Sequence, residues 1–382
     1  MLPSKDNIID AINDVGNFRV PQLNASTFIK SRFGDPLYFP GGFGMVFKAD
    51  NSGMKSAVKI WYVKIDEIKE RLQKISSYLS TRNLPYFVTY SFHEKGICIP
   101  ADIVNDENSP IDQYLDVLIM DWADGMTLKD YLDDLITENP VNVIESTLLK
   151  LSEQFKTCFT DLHNNHISHG DLQHGNIVIY NNPNGTQIKL IDYDSLYVPD
   201  LNGYEQTTSG LAGFQHPKRI AGDATISTEK DDYFSEKIIY LSILLLAKYP
   251  QFWTDVNVGV ESNDFGLLFR AEDFNDFANT YICNFVKSNQ SKFGPEIVSL
   301  LDEVASDLNK PLAKIEALSG TVKNPYERKT DDSSSPLSSG TRLSSEMLDV
   351  LNDDDNGGRY VPNKENITII DIDSNIYKKR NP

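Results

Sequence analysis

The stretch from His169 to Ile177 constrains this chain more than any other. It reads His-Gly-Asp-Leu-Gln-His-Gly-Asn-Ile and leads into further apolar residues. Asp171 and Asn176 stand five residues apart on a predicted loop between a helix and a short strand. A carboxylate in such a loop can accept the proton of an attacking hydroxyl, and the amide oxygen can bind a magnesium ion that nucleotide phosphates hold. The stretch therefore predicts phosphoryl-transfer chemistry.

Three other blocks stand in an order that suits the same chemistry. Asp192 ends an apolar run downstream, whereas a glycine turn at 41–44 and Lys59 on an apolar strand lie upstream. Each block alone fits a simpler role: an ordinary hairpin turn, a strand lysine that extends to solvent, or a turn aspartate. Their joint order and spacing favour one shared site over coincidence.

In this order the blocks resemble the signature set of the protein-kinase-like superfamily. Bacterial kinase-like proteins with a His-Gly-Asp-Leu-Gln-His-Gly-Asn motif are closest in character, and the resemblance covers approximately residues 37–318. It implies a bilobal α+β fold with a small antiparallel-sheet N-lobe and a mostly helical C-lobe. It also implies Mg²⁺-dependent transfer of the γ-phosphoryl group of ATP to a hydroxyl, with a protein serine or threonine as the preferred acceptor. A small-molecule kinase and a nucleotide-binding pseudokinase scaffold remain open alternatives.

The resemblance assigns roles to individual residues. Asp171 orients and deprotonates the acceptor, and Asn176 and Asp192 bind magnesium. Lys59 holds the phosphates and pairs with an acid on the following helix, for which Glu70 is preferred to Glu67. The expected nucleotide contacts come from the glycine turn, the lysine strand, and the gatekeeper and hinge: Gly41, Gly42, Phe43, Gly44, Val46, Ala57, Lys59, Met120, Asp121 and Ala123. His169 is interpreted as a structural histidine, and Asp232 is expected to hold the backbone of its loop.

Several positions depart from the family pattern. Gly170 stands where many protein kinases carry an arginine that receives an activation-loop phosphate, and Gln173 stands where Ser/Thr kinases often carry a lysine. Phe39 replaces the first glycine of the glycine loop. Asp194 replaces the glycine after Tyr193. These changes leave the acceptor class and phosphorylation switching open.

Apolar periodicity predicts the secondary structure. Strands are expected at 37–39, 45–49, 56–61, 87–90 and 115–120. One helix is expected to carry Ile65, Ile68, Leu72, Ile75 and Leu79, and further helices at 128–135, 144–162, 236–248, 273–287 and 294–318. The predicted domains are an N-terminal lead-in at 1–36, an N-lobe at 37–120, a C-lobe at 121–318 and a polar, largely disordered tail at 319–382. Within that tail only 367–372 has the composition of a strand.

Composition excludes some classes of partner. The net charge of −19 over 382 residues argues against nucleic acid and an anionic membrane surface as general partners. Three widely separated cysteines predict neither a disulfide framework nor a cysteine zinc site. The amino terminus lacks the regions of a signal peptide, and the longest apolar run, 238–247, is too short to span a bilayer. These features predict a cytoplasmic protein.

Overall fold

A mainly antiparallel sheet comes first along the chain, and a mostly helical region follows it. The predicted α+β fold is therefore confirmed. We call residues 5–123 the N-terminal lobe and residues 126–321 the C-terminal lobe. The computed structural model describes residues 3–65, 67–104, 111–182, 185–256, 266–321 and 372–374.

The described strands form one sheet in the N-terminal lobe and a smaller one in the C-terminal lobe. Their bounds are β1 Thr27–Phe28, β2 Tyr38–Pro40, β3 Gly44–Asn51, β4 Met54–Trp61, β5 Tyr90–Ile99, β6 Gln113–Ala123, β7 Met126–Thr127, β8 Ile177–Asn182, β9 Gly185–Leu190 and β10 Ile372–Ser374. The larger sheet has the order β1-β3-β4-β6-β10, with β2 paired to β3 and β5 paired to β6, and the smaller sheet has the order β7-β8-β9. Every pair is antiparallel except that of β10, which runs parallel to β6.

Beyond residue 321, the described residues of the predicted tail are those of strand β10. Its first residue, Ile372, is the last residue of the predicted strand 367–372, and it pairs with Asp121. The remainder of that predicted strand, and of the tail predicted to be disordered, lies outside the described residues.

The larger sheet separates two apolar clusters because successive side chains of a strand point to opposite faces. On β4, Val58 and Ile60 pack into a cluster with Ile8, Ile12 and other residues of the N-terminal segment. Ala57 and Trp61 belong instead to the large cluster that continues into the C-terminal lobe. Lys59 lies between Ala57 and Trp61 in this alternation, so its side chain is directed towards the C-terminal lobe.

The helices are α1 Lys5–Ile12, α2 Pro21–Asn24, α3 Ile68–Ser80, α4 Ala101–Val104, α5 Leu128–Glu138, α6 Val141–Asn164, α7 Pro217–Ile220, α8 Tyr233–Lys248, α9 Phe252–Asp255, α10 Tyr281–Ser288 and α11 Gln290–Asp307. The apolar helix predicted at 236–248 is α8, and its residues from Tyr233 to Ala247 are buried. No described helix is long and apolar enough to cross a membrane.

The strand predicted at 87–90 begins later in the structure than expected. β5 begins at Tyr90, the last of those residues, and runs to Ile99. Phe87 and Val88 are apolar because they pack onto the C-terminal lobe: the Phe87 ring meets Tyr193 edge-on, and the Val88 amide donates to the Tyr193 hydroxyl over 3.2 Å. Burial between the lobes therefore explains an apolar run that resembles a sheet strand.

Three predicted helices have different bounds in the structure. The helix expected to carry Ile65 is α3, which begins at Ile68, so Ile65 lies outside it. Residues 273–287 were expected to form one helix, but two 3₁₀ turns precede α10, which begins after Thr280. The Thr280 hydroxyl accepts a hydrogen bond from the Cys283 amide and so caps the helix start. The helix predicted at 294–318 is α11, which ends at Asp307, ahead of Pro311.

Candidate active site

The loop before β8 brings Asp171 and Asn176 together. The Asn176 amide nitrogen donates to the Asp171 carbonyl oxygen over 2.8 Å and to Oδ2 of the Asp171 carboxylate over 3.1 Å. The other carboxylate oxygen, Oδ1, is buried and has no hydrogen-bond partner. Because the amide nitrogen of Asn176 faces Asp171, its amide oxygen is directed away from that carboxylate. The five-residue spacing thus produces a fixed acid beside an available amide oxygen.

Burial raises the pKa of Asp171 above the ordinary value of a carboxyl. The nearby His169, the hydrogen bond from Asn176 and the charge of Arg219 oppose this effect, whereas the nearby charge of Asp192 adds to it. The result is a carboxylate that takes up a proton more readily than an exposed aspartate does. That property suits a group that accepts a proton from a hydroxyl.

Asp232 holds the start of the loop from behind. Its carboxylate accepts hydrogen bonds from the backbone amides of His169 and Gly170, the second over 3.0 Å. The His169 imidazole is fully buried, and its Nε2 atom lies 2.7 Å from the carbonyl oxygen of Ile191. The expected contact of Asp232 with the loop backbone is confirmed. The structural role of His169 stays a prediction, and its contact with the Ile191 carbonyl oxygen is consistent with that role.

Lys59 lies between two aspartates. Its Nζ atom is 2.6 Å from Oδ1 of Asp192 and 2.7 Å from Oδ2 of Asp194. Burial alone lowers the pKa of a lysine, but the charges of Asp192 and Asp194 outweigh it, so the pKa of Lys59 is raised. Lys59 is therefore a buried, charged ammonium group and does not extend to solvent.

The two aspartates differ in their surroundings. The Asp192 side chain is 40% exposed, whereas that of Asp194 is 5% exposed. Burial raises the pKa of both, but at Asp192 the charge of Lys59 prevails and the pKa is lowered, whereas at Asp194 burial prevails and the pKa is raised. Asp192 is accordingly the more accessible acid and is open to a ligand in the cleft.

The predicted ion pair between Lys59 and Glu70 is wrong for this structure. Glu70 is exposed on α3, where it lies 2.9 Å from Lys74 and accepts a hydrogen bond from the Tyr204 hydroxyl. Glu67, the alternative, is exposed as well, in a left-handed conformation just before the helix. Both glutamates are therefore exposed to solvent, and the acids that reach Lys59 come from the segment after β9.

The glycine turn joins β2 to β3 and is tied to the end of β4. The Gly41 amide donates to the Gly44 carbonyl oxygen over 2.8 Å, and the amides of Tyr62 and Val63 both donate to the Phe43 carbonyl oxygen. A Cβ atom on Gly44 would lie 2.8 Å from the carbonyl oxygen of Ile60, so only glycine fits there. The turn is thus held close to the strand that carries Lys59.

The other residues expected to contact the nucleotide lie on neighbouring strands of the larger sheet. Val46 on β3 pairs with Lys59, and Ala57 on β4 pairs with Met120 on β6. Met120 is buried, and Asp121 after it is exposed. Ala123 is the last residue of β6. The predicted gatekeeper and hinge therefore lie on the strand next to the lysine strand.

The residues expected to bind magnesium fit a cation that is shared with phosphates. Among the described residues, no group of three or more His, Cys, Asp and Glu side chains is arranged to hold a metal ion on its own. Magnesium bound through one or two protein oxygens needs the remaining ligands from phosphates and water. The accessible Asp192 carboxylate and the Asn176 amide oxygen supply such a pair, and the unpartnered Oδ1 atom of Asp171 lies at the same loop.

Residues 40–307 match the family model of the protein kinase domain. This match covers more than half of the chain, which belongs to the protein kinase family. No curated protein matches it. Family membership supports phosphotransfer as the general chemistry, with ATP and a divalent metal as the usual requirements.

Two contacts of the site were not anticipated from the sequence. Asp194 binds Lys59, and the Trp61 indole nitrogen donates to the same Asp194 oxygen over 3.1 Å. Arg219 donates to the Gly170 carbonyl oxygen over 2.6 Å. The acid after Tyr193 was visible as a departure from the family pattern, and an acid at that position was the available signal for the first contact.

Proposed function

We propose that this chain transfers the γ-phosphoryl group of ATP to a hydroxyl, with a protein serine or threonine as the preferred acceptor. The observation that carries the proposal is the hydrogen bond from the Ile191 amide to the Asn176 carbonyl oxygen, 3.0 Å long. It joins the backbones of the two segments that carry Asn176 and Asp192. Lys59 binds Asp192, and Asp171 lies on the same loop as Asn176. The hydrogen bond between the two backbones therefore brings the proposed base and the lysine into one site.

Each side chain has a distinct role in the proposed reaction. Asp171 accepts the proton of the acceptor hydroxyl while that oxygen attacks phosphorus, and it holds the hydroxyl in line for attack. Lys59 neutralises charge on the bound phosphates. Magnesium, when bound, would be held by Asn176 and Asp192 and would screen the phosphate charges. The glycine turn at 41–44 would cover the phosphates with backbone amides.

The loop bears on the choice of acceptor. The Gln173 side chain turns back on its own loop, where its amide oxygen accepts a hydrogen bond from Gly175 over 3.2 Å. It does not supply the cation that many Ser/Thr kinases place at this position. A small-molecule acceptor is therefore the second candidate.

A pseudokinase scaffold is the candidate from a different class. Such a protein binds nucleotide or partners without turnover, and loss of a catalytic side chain is its usual basis. Lys59, Asp171, Asn176 and Asp192 are all present and clustered, which supports an enzyme.

The proposal is tested with ATP labelled on the γ-phosphate and a cell lysate divided into protein and metabolite fractions. We expect label in the protein fraction with the wild-type chain and magnesium, and loss of that label with Lys59→Ala. Lys55→Ala is the matched control, because Lys55 is a half-exposed lysine on the same strand that pairs with Asp124 at the surface. Label only in the metabolite fraction would establish the small-molecule alternative. No transfer to either fraction, with ATP still bound, would establish the scaffold.

A further inference from the structure

Asp194 is a buried side chain that is held through one of its two carboxylate oxygens. Its Oδ2 atom accepts hydrogen bonds from Lys59 Nζ over 2.7 Å and from the Trp61 indole over 3.1 Å. Both donors lie two residues apart on β4, so they approach the carboxylate from one face of the sheet. The residue is 4% exposed, and its backbone carbonyl oxygen accepts a hydrogen bond from the Thr207 hydroxyl.

Helix α3 makes a different set of contacts. Glu70 and Lys74 bind the Tyr204 hydroxyl, and the Arg71 guanidinium donates to the Glu205 carbonyl oxygen over 2.6 Å. These contacts attach α3 to the segment around 204–205. Among the described residues of α3, none supplies an acid to Lys59.

We propose that Asp194 is the positioning residue that holds Lys59 in the cleft, in place of an acid on α3. The inference rests on the proposed function, because it concerns how the phosphate-binding lysine of that reaction is placed. Asp194 acts through Lys59 and has no contact with substrate in this assignment.

The difference in exposure explains why two aspartates are needed. Asp192 is the accessible acid and is proposed to bind magnesium, which would compete with Lys59 for its carboxylate. A buried ammonium group without a counter-charge is strongly disfavoured. Asp194 would keep its pairing with Lys59, because the residue is buried and the Trp61 indole donates to the same carboxylate oxygen.

With Asp194 as its partner, Lys59 does not depend on an acid from α3 for its position. If Asp194 positions Lys59, then neutralising Glu70, the acid preferred from the sequence as the lysine partner, has no effect on nucleotide binding. Neutralising Asp194 leaves Lys59 with Asp192 alone, and magnesium and lysine then compete for one carboxylate. Nucleotide affinity is the quantity that should respond.

A double-mutant cycle on the full chain tests the assignment, with the dissociation constant of Mg-ATP measured by calorimetry. The variants are Asp194→Asn, Lys59→Ala and the pair of them, with Glu70→Gln as the control. Asparagine keeps an acceptor for the Trp61 indole and removes only the charge. We expect Asp194→Asn to weaken Mg-ATP binding about 10- to 100-fold, because removal of one partner of a buried, hydrogen-bonded charge pair commonly weakens binding by at least a factor of this order. In the Lys59→Ala background the same change should alter binding less than about twofold.

An equal loss in both backgrounds would overturn the proposal, because Asp194 would then act independently of Lys59. A loss with Glu70→Gln as large as that with Asp194→Asn would overturn it as well. If Asp194→Asn does not fold, Trp61→Phe replaces it in the cycle, since phenylalanine removes the second donor to Asp194 and retains the ring. If the wild-type protein binds Mg-ATP but transfers no phosphate, the proposed function is wrong. The double-mutant cycle still tests the role of Asp194, because it measures binding alone. Wild-type protein that binds no Mg-ATP would overturn both.

Discussion

Arg219 donates a hydrogen bond from its guanidinium to the backbone carbonyl oxygen of Gly170 over 2.6 Å. Gly170 is the position at which many protein kinases carry an arginine in the catalytic loop. In this chain the guanidinium comes from α7 instead, where it is 3% exposed and also donates to the Asp231 carbonyl oxygen over 2.8 Å. The cation therefore fastens the catalytic loop to the segment that precedes α8.

Arg219→Ala should destabilise the chain by about 2–4 kcal/mol, because it leaves two buried carbonyl groups without donors. Turnover should fall too, since the loop that carries Asp171 loses a support. Chemical denaturation and a phosphotransfer assay measure the two effects. Arg32→Ala is the control: Arg32 is exposed and stacks only on the neighbouring Phe33, so its loss should cost less than about 0.5 kcal/mol. Similar unfolding curves for both variants would contradict the role given to Arg219.

Gly170→Ala and Gly203→Ala separate backbone strain from steric collision. Both glycines have a positive φ, +77° and +89°, which costs an alanine about 1–2 kcal/mol. A Cβ atom on Gly170 would lie 2.3 Å from the Ser195 carbonyl oxygen, whereas one on Gly203 would meet nothing within 4 Å. We expect a loss of about 2–5 kcal/mol at Gly170 and about 1 kcal/mol at Gly203. Equal losses in denaturation experiments would show that the close packing of the catalytic loop against Ser195 is misassigned.

Stability should depend on pH through the buried pair of His163 and Glu236, whose side chains lie 2.9 Å apart. Burial raises the pKa of Glu236 to about 7 despite the attraction of His163. The pKa of His163 is also raised, because the charge of Glu236 outweighs burial. Asp232 and Lys237 also act on Glu236, the first raising its pKa and the second lowering it.

Both groups keep their protons more strongly when folded than when unfolded. Their contribution to stability is therefore complete at low pH, and that of Glu236 is lost as pH rises from about 4.5 through about 7. The free energy of unfolding should fall over this range by an amount on the order of 3 kcal/mol or less from Glu236. Glu236→Gln should flatten the profile between pH 5 and pH 8. Parallel profiles for the wild type and the variant would exclude Glu236 as the cause.

Local sequence patterns correctly predicted those features that depend on residues close together in the chain. The contact of Asp171 with Asn176 spans five residues, and residue spacing along one loop suffices to place it. The burial of α8 followed from an apolar surface on every side. By contrast, Lys59 and Asp194 are 135 residues apart, and their contact depends on how the lobes pack.

The predictions for Glu70 and for the strand at 87–90 differ from the structure for one physical reason, which is packing between distant parts of the chain. Glu70 stood at a plausible place in the sequence, but the rotation of α3 directs it to Tyr204, which lies 134 residues away. Phe87 and Val88 are apolar because they contact the C-terminal lobe. A local pattern does not distinguish this kind of burial from burial in a strand. Tertiary packing decided each of these cases.

Asp192→Asn should make nucleotide binding more dependent on magnesium. Asp192 is the accessible acid of the site, and an amide is a weaker ligand than a carboxylate for a hard cation. The dissociation constant of ATP should therefore rise most at low magnesium and recover partly at high magnesium. Asp133→Asn is the control, because Asp133 lies on α5, where its carboxylate accepts a hydrogen bond from the Trp253 indole. A magnesium dependence like that of the wild type would remove Asp192 from the metal site.

Asp171 is proposed to take the proton of the acceptor hydroxyl. Asp171→Asn keeps the size of the side chain and removes the basic oxygen. The most direct test measures single-turnover phosphotransfer and the ATP dissociation constant on the same preparation of this variant. We predict that turnover falls by about 10²- to 10⁴-fold, the usual contribution of a general base, while ATP affinity stays within about twofold of the wild type. Full turnover by Asp171→Asn, in an assay that loses its signal with Lys59→Ala, would contradict the account.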